Sequence, residues 1–393
     1  MDFTPVTAYL GSLRAEFDVR CCDCIVLKDH KPIYRHLTGT ANFEDTAPLT
    51  EHHLHDIFSA SKVMTVIAVM QQVEQGKIDL DDPLSQYLPE FAQMQVVEDF
   101  DLTDFVASAK FVLGWPGKND KLRPAEKPIL LREMLSMAAG FSYNFASEDV
   151  LALLAVDPHA TTREIVRAWA KSPLLYEPGT RYAYSYALDI LAAVVEVTSG
   201  LRFADYMKQF VFSPAGAAEL YYHIPAGEQA RRVDLYSYDA AKKRYVVAKE
   251  NPARISDHYD AGGAGIACTV EDYAKVLDAL SNGGVAANGV RLLTEASIQE
   301  MRKNRLNEQQ LADFHIGGKT EYGYGYGVRT LLDTAKSKSP FGEFGWDGAA
   351  GAYVLADPEH HLSIFYVQAS PESGPAFATI HPHLRDLVYD AIL

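Results

Sequence analysis

The chain has 393 residues, of which 48% are hydrophobic and 22% charged, so it can build a sizeable core and is not a disordered protein. Its 36 basic and 52 acidic side chains give a formal net charge of −16, and such a surface repels the phosphates of nucleic acids. No apolar run approaches the roughly 20 residues that a membrane-spanning helix needs. The first residues lack a basic segment followed by an apolar stretch. We therefore expect a cytoplasmic protein with no nucleic-acid and no membrane partner.

The N-terminal part predicts one helix and two strands. Apolar residues recur at helical spacing over 4–18, and two strand-like runs follow near 20–28 and 32–37. The first run contains Cys21, Cys22 and Cys24, and the spacing of Cys21 and Cys24 is that of some metal and redox sites. No second ligand pair occurs at zinc-site spacing, so we interpret the three cysteines as small apolar residues of a buried strand. Neither a metal nor a cofactor is expected.

Helical patterns fill the middle of the chain. A strongly apolar helix is predicted to begin near Ser59 and to end at Gly76, and Gly is a common residue just past a helix end. The pattern is weak from about 92 to 128. Further helices are predicted near 129–138, 161–171, 185–199 and 203–210, and a β-hairpin is predicted over 231–249.

The C-terminal part is rich in strands. After a helix at 270–281, strands are predicted at 322–330, 341–346, 350–356 and 362–367, followed by a terminal helix at about 376–391. Because strands occur at both chain ends and helices fill the middle, we expect an α+β fold. One antiparallel sheet would be flanked by the terminal helices and would carry an inserted, mostly helical region. We expect a single unit over 1–393, with an α/β part at about 1–58 and 255–393 and a helical part at about 59–254. The cleft between the two parts is the natural place for a site.

Ser59 and Lys62 form an S-x-x-K pattern at the start of the apolar helix. Residues three apart lie on one face of a helix, so both side chains would project together from its first turn. A serine hydroxyl needs a neighbouring base before it becomes a good nucleophile, and a desolvated lysine can be that base. The pattern alone also fits a serine helix cap followed by a surface lysine. However, the helix after Lys62 is apolar nearly all round, which is typical of a buried helix.

Two later segments add further candidate groups. Tyr184 and Tyr186 are two residues apart and would share one face of an extended segment. A tyrosine near a lysine ammonium has a lowered pKa and can act as a general base, although an aromatic core stripe gives the same pattern. Further on, Trp346, Asp347 and Gly348 open a stretch rich in glycine and alanine, which is typical of close approach by a ligand or another backbone. Such a stretch can donate a backbone N–H to an oxyanion, although a glycine-rich turn is the simpler interpretation.

The segments that begin at Ser59, Tyr184 and Trp346 resemble, in this order, the S-x-x-K, Y-x-N and K-T-G (or W-x-G) motifs of the serine β-lactamase/penicillin-binding protein superfamily. Residues 262–273 are also similar to its glycine-rich strand and the following helix. The resemblance covers essentially the whole chain and implies a β-lactamase/transpeptidase-like fold. Within the superfamily, the chain is most similar to the class C β-lactamase-like branch and, in its motifs, to family VIII carboxylesterases.

The resemblance also implies roles for individual residues. Ser59 would be the nucleophile, Lys62 and Tyr184 the activating pair, and the backbone N–H groups of Ser59 and Ala349 the oxyanion hole. Which member of the activating pair takes the proton stays open, because strongly coupled groups titrate as a unit. The remaining residues of the second and third motifs would contact substrate: Tyr186, Trp346, Asp347 and Gly348.

Two departures from the family pattern bear on the substrate. Tyr186 stands where the family has an asparagine that binds the acyl-amide side chain of a β-lactam or peptide. Trp346 replaces a lysine, which removes a cation that would attract a substrate carboxylate. Both favour a carboxylesterase for small esters that forms an acyl-enzyme. The alternatives are a β-lactamase, a D-Ala-D-Ala carboxypeptidase or D-aminopeptidase of the same fold, and a non-enzymatic protein that β-lactams acylate without turnover. The sequence does not indicate an oligomeric state.

Overall fold

Strands from both chain ends and helices from the middle make up the structure, a computed structural model that describes residues 1–103, 115–117, 119–239, 242, 244–248, 251–370 and 374–393. The strands are β1 (Cys21–Lys28), β2 (Lys31–Gly39), β3 (His55–Asp56), β4 (Gln95–Val97), β5 (Leu122–Pro124), β6 (Leu220–Tyr221), β7 (Leu235–Asp239), β8 (Arg244–Ala248), β9 (Ala267–Cys268), β10 (Tyr322–Tyr324), β11 (Arg329–Leu331), β12 (Phe344–Gly345), β13 (Tyr353–Asp357) and β14 (Leu362–Gln368). The helices are α1 (Thr4–Phe17), α2 (Ser61–Glu74), α3 (Leu131–Leu135), α4 (Glu148–Val156), α5 (Thr162–Trp169), α6 (Ala187–Ser199), α7 (Phe203–Met207), α8 (Val270–Ser281), α9 (Glu295–Arg302), α10 (Glu308–His315) and α11 (His381–Ile392).

Seven strands form one sheet in the order β10-β11-β12-β13-β14-β1-β2. Every neighbouring pair is antiparallel, and β1 pairs with β14 from the far end of the chain. The predicted antiparallel sheet, built from both chain ends, is therefore confirmed. β6 lies within the predicted helical part, yet it pairs with β9 in a separate three-stranded sheet together with β3. The boundaries proposed for the two parts stay a prediction.

The inner strand β1 lies between β14 and β2 and is buried on both faces, which is why its sequence is one largely apolar run. Side chains alternate along a strand. Cys22 and Cys24 accordingly pack with the terminal helices α1 and α11, whereas Ile25 packs into the core that contains α2. Cys21 belongs to a third apolar cluster. All four cysteines are buried and have free thiols, as expected for small apolar residues of the interior.

Helix α2 is the element that positions the candidate nucleophile. Its residues from Ser61 to Gln72 are all buried, which confirms the interpretation of an all-round apolar helix as a buried one. Hydrogen bonds tie its first turns to the glycine-rich segment 262–266. Ser61 Oγ accepts the Ile266 N–H at 3.1 Å, and Thr65 Oγ1 donates to the Gly262 carbonyl at 2.6 Å.

Some predicted elements differ from the structure. The strand predicted at 322–330 is a hairpin of β10 and β11, because Gly327 takes a left-handed backbone conformation (φ 68°) and turns the chain. Among the described residues, three helices were not anticipated: α4, α9 and α10. The start of α10 does carry a sequence signal, a capping box in which Asn307 and Gln310 bond to each other's backbone. Residues 104–114 and 118 of the weakly patterned stretch lie outside the described residues. Within the described ranges, no helix is both long and apolar enough to cross a bilayer.

Candidate active site

A sharp bend in the backbone presents Ser59. The preceding residue, Phe58, has a left-handed conformation (φ 47°), which costs a residue with a side chain about 1–2 kcal/mol. A 3₁₀ turn over Phe58–Ala60 then leads into α2, so Ser59 lies just before the α-helix rather than inside it. The bend is held by a 3.1 Å bond from the Ile57 N–H to the Ile266 carbonyl. Ser59 retains 8% of its exposure and sits at the helix N-terminus, where negative charge is stabilised.

The Lys62 ammonium lies directly behind this hydroxyl. Its Nζ donates to Ser59 Oγ at 3.4 Å, to the Tyr143 hydroxyl at 3.3 Å and to the Gly263 carbonyl at 2.8 Å. The Lys62 side chain has no exposure to solvent. A buried cation next to a hydroxyl is an arrangement that activates a nucleophile, since the low dielectric strengthens its effect on nearby protons.

Two tyrosines complete the group around Ser59. Tyr184 places its ring 4.7 Å from Lys62 Nζ and stacks on Tyr143, with ring centroids 5.1 Å apart. Burial raises the pKa of both phenols, and their interactions with the Ser59 hydroxyl partly oppose that rise. The structure thus brings the predicted residues Ser59, Lys62 and Tyr184 together. Sequence reasoning missed Tyr143, which comes from a loop with no recognisable pattern.

Trp346 lies against the same tyrosine. Its indole N–H donates a 2.9 Å hydrogen bond to the Tyr184 hydroxyl oxygen, and the two ring centroids are 5.3 Å apart. Trp346 also packs edge-on against Tyr324, with the centroids 5.0 Å apart. The side chain is partly exposed. It can therefore both touch a bound substrate and hold the Tyr184 oxygen in place.

The turn after Trp346 approaches the nucleophile's backbone very closely. A Cβ added to Gly348 would lie 2.0 Å from the Ile57 carbonyl oxygen, so only glycine fits there. The turn is closed by bonds between Gly348 and Ala352 (2.9 Å) and from the Gly351 N–H to the Gly348 carbonyl (2.8 Å). Ala349 is exposed at its tip, and its N–H has no hydrogen-bond partner among the described residues. A free backbone N–H is the type of donor that an oxyanion hole uses.

The Asp347 side chain points away from this group. Its carboxylate is buried and pairs with Arg329 Nη1 at 2.8 Å and with Lys319 Nζ at 2.9 Å. Burial opposes its ionisation, but these two cations prevail and hold the pKa of Asp347 well below its usual range. The predicted substrate contact of Asp347 therefore has no support from the position of its side chain, which instead fastens the Trp346–Gly348 segment to the sheet.

Tyr186 also lies away from the open part of the site. It is 1% exposed and stacks on Trp169, with ring centroids 4.4 Å apart and an interplanar angle of 9°. Phe141 and Phe145 pack around the same ring. Tyr186 is thus part of an aromatic core, the alternative that the alternating pattern left open, and its predicted substrate contact has no support from this placement.

Comparison with known proteins agrees with this geometry. Residues 20–389 match a family model described as beta-lactamase. The chain belongs to the beta-lactamase family. Among related family members, acyltransferase calJ of Penicillium decumbens is 27% identical over 357 residues, which cover 84% of this chain and 79% of that protein. Lovastatin esterase of Penicillium rubens is 27% identical over 354 residues, or 84% of each protein.

The beta-lactamase fold is also evident from solved structures. EstCE1, described as a hydrolase with promiscuous acyltransferase activity, superposes with a TM-score of 0.76 at 22% identity, covering 98% of this chain and 97% of that one. The predicted family, the fold class and the assignment to β-lactamase-fold serine hydrolases are confirmed by these comparisons. The roles of the individual site residues stay predictions.

Proposed function

We propose that the protein is a carboxylesterase that forms an acyl-enzyme on Ser59. The observation that carries the proposal is the contact between Ser59 Oγ and the buried Lys62 ammonium, with the Tyr184 phenol against both. A hydroxyl, a buried amine and a phenol in contact can pass one proton among themselves, which is what an acyl-transfer nucleophile requires. The esterase and acyltransferase names of the relatives support the same chemistry.

In the first half of the reaction, Ser59 Oγ attacks the ester carbonyl carbon while its proton passes to the Lys62/Tyr184 pair. The carbonyl oxygen becomes an oxyanion, which the N–H groups of Ser59 and Ala349 would bind. When the tetrahedral intermediate collapses, the carbon–oxygen bond to the alcohol breaks. The pair then returns the proton to the departing alkoxide, leaving an ester of Ser59.

In the second half, water attacks the same carbonyl carbon. The Lys62/Tyr184 pair takes a proton from the water and later gives it to Ser59 Oγ, which releases the carboxylic acid and restores the enzyme. An alcohol that reached the acyl-enzyme in place of water would give acyl transfer by the same steps, in line with the acyltransferases among the relatives.

The surroundings of the site favour neutral esters. Tyr143, Tyr184 and Trp346 give the nucleophile an aromatic wall. Among the described residues, the cations nearest the third motif, Lys319 and Arg329, are held by Asp347 and are not free to bind a substrate carboxylate. β-Lactams and D-Ala-D-Ala peptides carry such a carboxylate, so a small uncharged ester is the better match.

A substrate panel tests the proposal. Wild type should hydrolyse p-nitrophenyl esters of short acyl chains faster than nitrocefin or D-Ala dipeptides, and Ser59→Ala should lose about 10⁴-fold or more in kcat. Ser61→Ala is a matched control, because Ser61 is a buried serine two residues away that bonds to Ile266. It should stay within about tenfold of wild type. Equal ester turnover by wild type and Ser59→Ala would refute the assignment.

The same panel separates the alternatives. Faster turnover of nitrocefin or of a D-Ala dipeptide than of any ester would replace the carboxylesterase by a β-lactamase or peptidase. A stable penicillin adduct in the intact mass, together with no ester turnover, would instead indicate a protein that β-lactams acylate without release.

We further propose a cytoplasmic location. The four free, buried cysteines support it, because thiols stay reduced in that compartment. Detection of the protein in a fractionated cell would test it.

A further inference from the structure

The turn over residues 347–352, called the Ala349 turn below, is held by its surroundings at both ends. At the first end, the Asp347 carboxylate pairs with the two cations described above. At the second end, Gly351 has a left-handed backbone conformation (φ 90°), which glycine adopts more easily than other residues. A Cβ added there would lie 2.3 Å from Gln368 Cγ, so the Gly351 backbone packs closely against β14. The position of Ala349 therefore depends on what holds these two ends.

His381, the first residue of α11, reaches both ends of the Ala349 turn. Its Nε2 lies 3.2 Å from the Gly351 carbonyl oxygen, which is hydrogen-bond distance. Its Nδ1 faces the other end, 3.8 Å from Asp347 Oδ2. The imidazole is only 2% exposed. One buried side chain of the C-terminal helix thus links that helix to the turn.

Aromatic rings on three sides keep the imidazole in this position. Tyr353 stacks on it with ring centroids 4.8 Å apart, and Tyr366 and Phe377 approach it edge-on at 6.0 Å and 5.4 Å. The two tyrosines belong to β13 and β14 of the seven-stranded sheet. A side chain that is packed in this way has little freedom to rotate. The donor nitrogen of His381 is therefore fixed relative to the sheet.

The hydrogen bond identifies the nitrogen that carries the proton. Burial lowers the pKa of His381, although the Asp347 charge opposes that shift, so the ring is neutral at pH 7 and has one N–H. Because the Gly351 carbonyl can only accept, this proton lies on Nε2. Nδ1 is then a buried acceptor without a hydrogen-bond partner, which is unfavourable. A phenylalanine would pack among the same rings without that cost, so the N–H is what distinguishes histidine at this position.

We propose that His381 is a positioning residue that fixes the Ala349 turn through its hydrogen bond to the Gly351 carbonyl. This carbonyl lies two residues beyond the Ala349 N–H, in a turn that internal hydrogen bonds close. Holding the carbonyl therefore also holds the N–H. An oxyanion donor acts only at short range, and a displacement of about 1 Å in a site can cost about 10²-fold in rate. His381 would act through the backbone and not by touching the reacting atoms. The inference rests on the proposed acyl-enzyme function.

The test compares two variants of His381 that differ in one donor. His381→Phe keeps an aromatic ring but has no N–H, whereas His381→Gln has an amide that can still donate to Gly351. We expect kcat and kcat/KM of His381→Phe for a p-nitrophenyl ester to fall together by about tenfold or more, as when an interaction of the transition state is weakened. His381→Gln should recover most of that loss. Titration of Ser59 with a fluorophosphonate gives the concentration of active enzyme for each variant.

Inhibition by a boronic acid gives a readout that a merely structural role would not move. Its adduct with Ser59 is tetrahedral and resembles the transition state, so its inhibition constant Ki should rise by about the factor by which kcat/KM falls. A smaller folded fraction would lower the measured rate but leave Ki unchanged. His315→Phe is the matched control, because His315 Nε2 likewise donates to a backbone carbonyl, that of Tyr322, at 2.9 Å but from α10. Its kcat/KM and Ki should stay within about twofold of wild type.

A folded His381→Phe protein with wild-type kcat/KM would overturn the proposal. A lower kcat/KM with an unchanged boronic acid Ki would also overturn it, as would a His381→Gln protein no faster than His381→Phe. If His381→Phe does not fold, His381→Asn takes its place, because its amide is too short to reach the Gly351 carbonyl. Each of these failures leaves ester turnover dependent on Ser59. Failure of the proposed function would instead appear as equal turnover by wild type and Ser59→Ala.

Discussion

The indole of Trp346 and the phenol of Tyr184 are joined by a 2.9 Å hydrogen bond, although 161 residues separate them along the chain. The bond runs from the indole N–H to the phenol oxygen, the atom that exchanges protons with Ser59 in the proposed mechanism. Indole N–H is a donor only, so it stabilises Tyr184 whenever its oxygen carries negative charge. Trp346, which the sequence predicts as a substrate contact, thus also binds the proposed proton-transfer group.

Trp346→Phe should therefore lower kcat more than it raises KM. A hydrogen bond to a charged group contributes about 1.5–3 kcal/mol, which corresponds to about 10–100-fold in kcat. Steady-state kinetics on a p-nitrophenyl ester measure the change in kcat and the change in KM separately. The double variant Trp346→Phe/Tyr184→Phe should be no slower than Tyr184→Phe alone, because the bond is already absent. An effect confined to KM would show that Trp346 only contacts substrate.

The two stacked tyrosines should contribute unequally. Tyr184→Phe removes the hydroxyl that receives the indole N–H, and we expect a loss of about 10³-fold in kcat. Tyr143→Phe removes only one of three acceptors of Lys62, so a loss of about tenfold is expected. Tyr206→Phe is a control for deletion of a buried hydroxyl, since Tyr206 bonds to Gln72 near the other end of α2. A larger loss of kcat for Tyr143→Phe than for Tyr184→Phe would indicate that Tyr143, and not Tyr184, is the main proton-transfer group.

Gly348→Ala should damage catalysis through the backbone. Its new methyl would lie 2.0 Å from the Ile57 carbonyl oxygen, so the turn that carries the Ala349 N–H must move away from Ser59. Loss of one oxyanion donor costs about 10²–10³-fold in kcat. Gly227→Ala, at a position with no atom within 4 Å, is the control and should keep full activity. Wild-type kcat in a folded Gly348→Ala protein would remove Ala349 from the oxyanion hole.

Glu196 should make stability depend on pH. Burial raises its pKa from the ordinary 4.5 to about 7, so the folded state holds a proton that the unfolded state has released. The stability that this proton contributes is present below about pH 4.5 and is lost as pH rises through about 7. Glu196→Gln keeps the acceptor for the Phe203 N–H and lacks the titration.

Thermal unfolding of wild type and Glu196→Gln at pH 5 and pH 8 measures this effect. The free energy of unfolding of Glu196→Gln minus that of wild type should be larger at pH 8 than at pH 5. We expect an increase of about 1–2 kcal/mol after allowance for the partial exposure of Glu196. An equal difference at both pH values would show that Glu196 titrates normally in the folded protein.

Much of the architecture can be read from local sequence. The continuous apolar run of β1 and the all-round apolar character of α2 predict that both elements are buried on all sides, because burial of apolar surface dominates folding energetics. Where the predicted elements differ from the structure, the cause is also local, but it is backbone conformation or helix capping rather than apolar periodicity. Gly327 turns a predicted strand into a hairpin through its backbone conformation, and α10 depends on a capping box rather than on apolar periodicity.

Within the site, spacing alone predicts that Ser59 and Lys62 meet, since one helical turn joins them. The motif order adds Tyr184 and Trp346 through resemblance. Alternation cannot tell whether Tyr186 faces a cleft or a core, and the motif pattern cannot tell which partners the Asp347 side chain finds. Those outcomes depend on Trp169 and Arg329, which belong to other elements of the fold, α5 and β11.

The sequence by itself determined the fold class and the buried helix α2, because these follow from periodicity, and it predicted Ser59 as the nucleophile through the order of its motifs. Only the tertiary structure decided that Tyr143 flanks Lys62 and that Trp346 holds the Tyr184 oxygen. Contacts of this kind join residues far apart in the chain. Their geometry is set by packing and by buried charge, and neither produces a periodic pattern in the sequence.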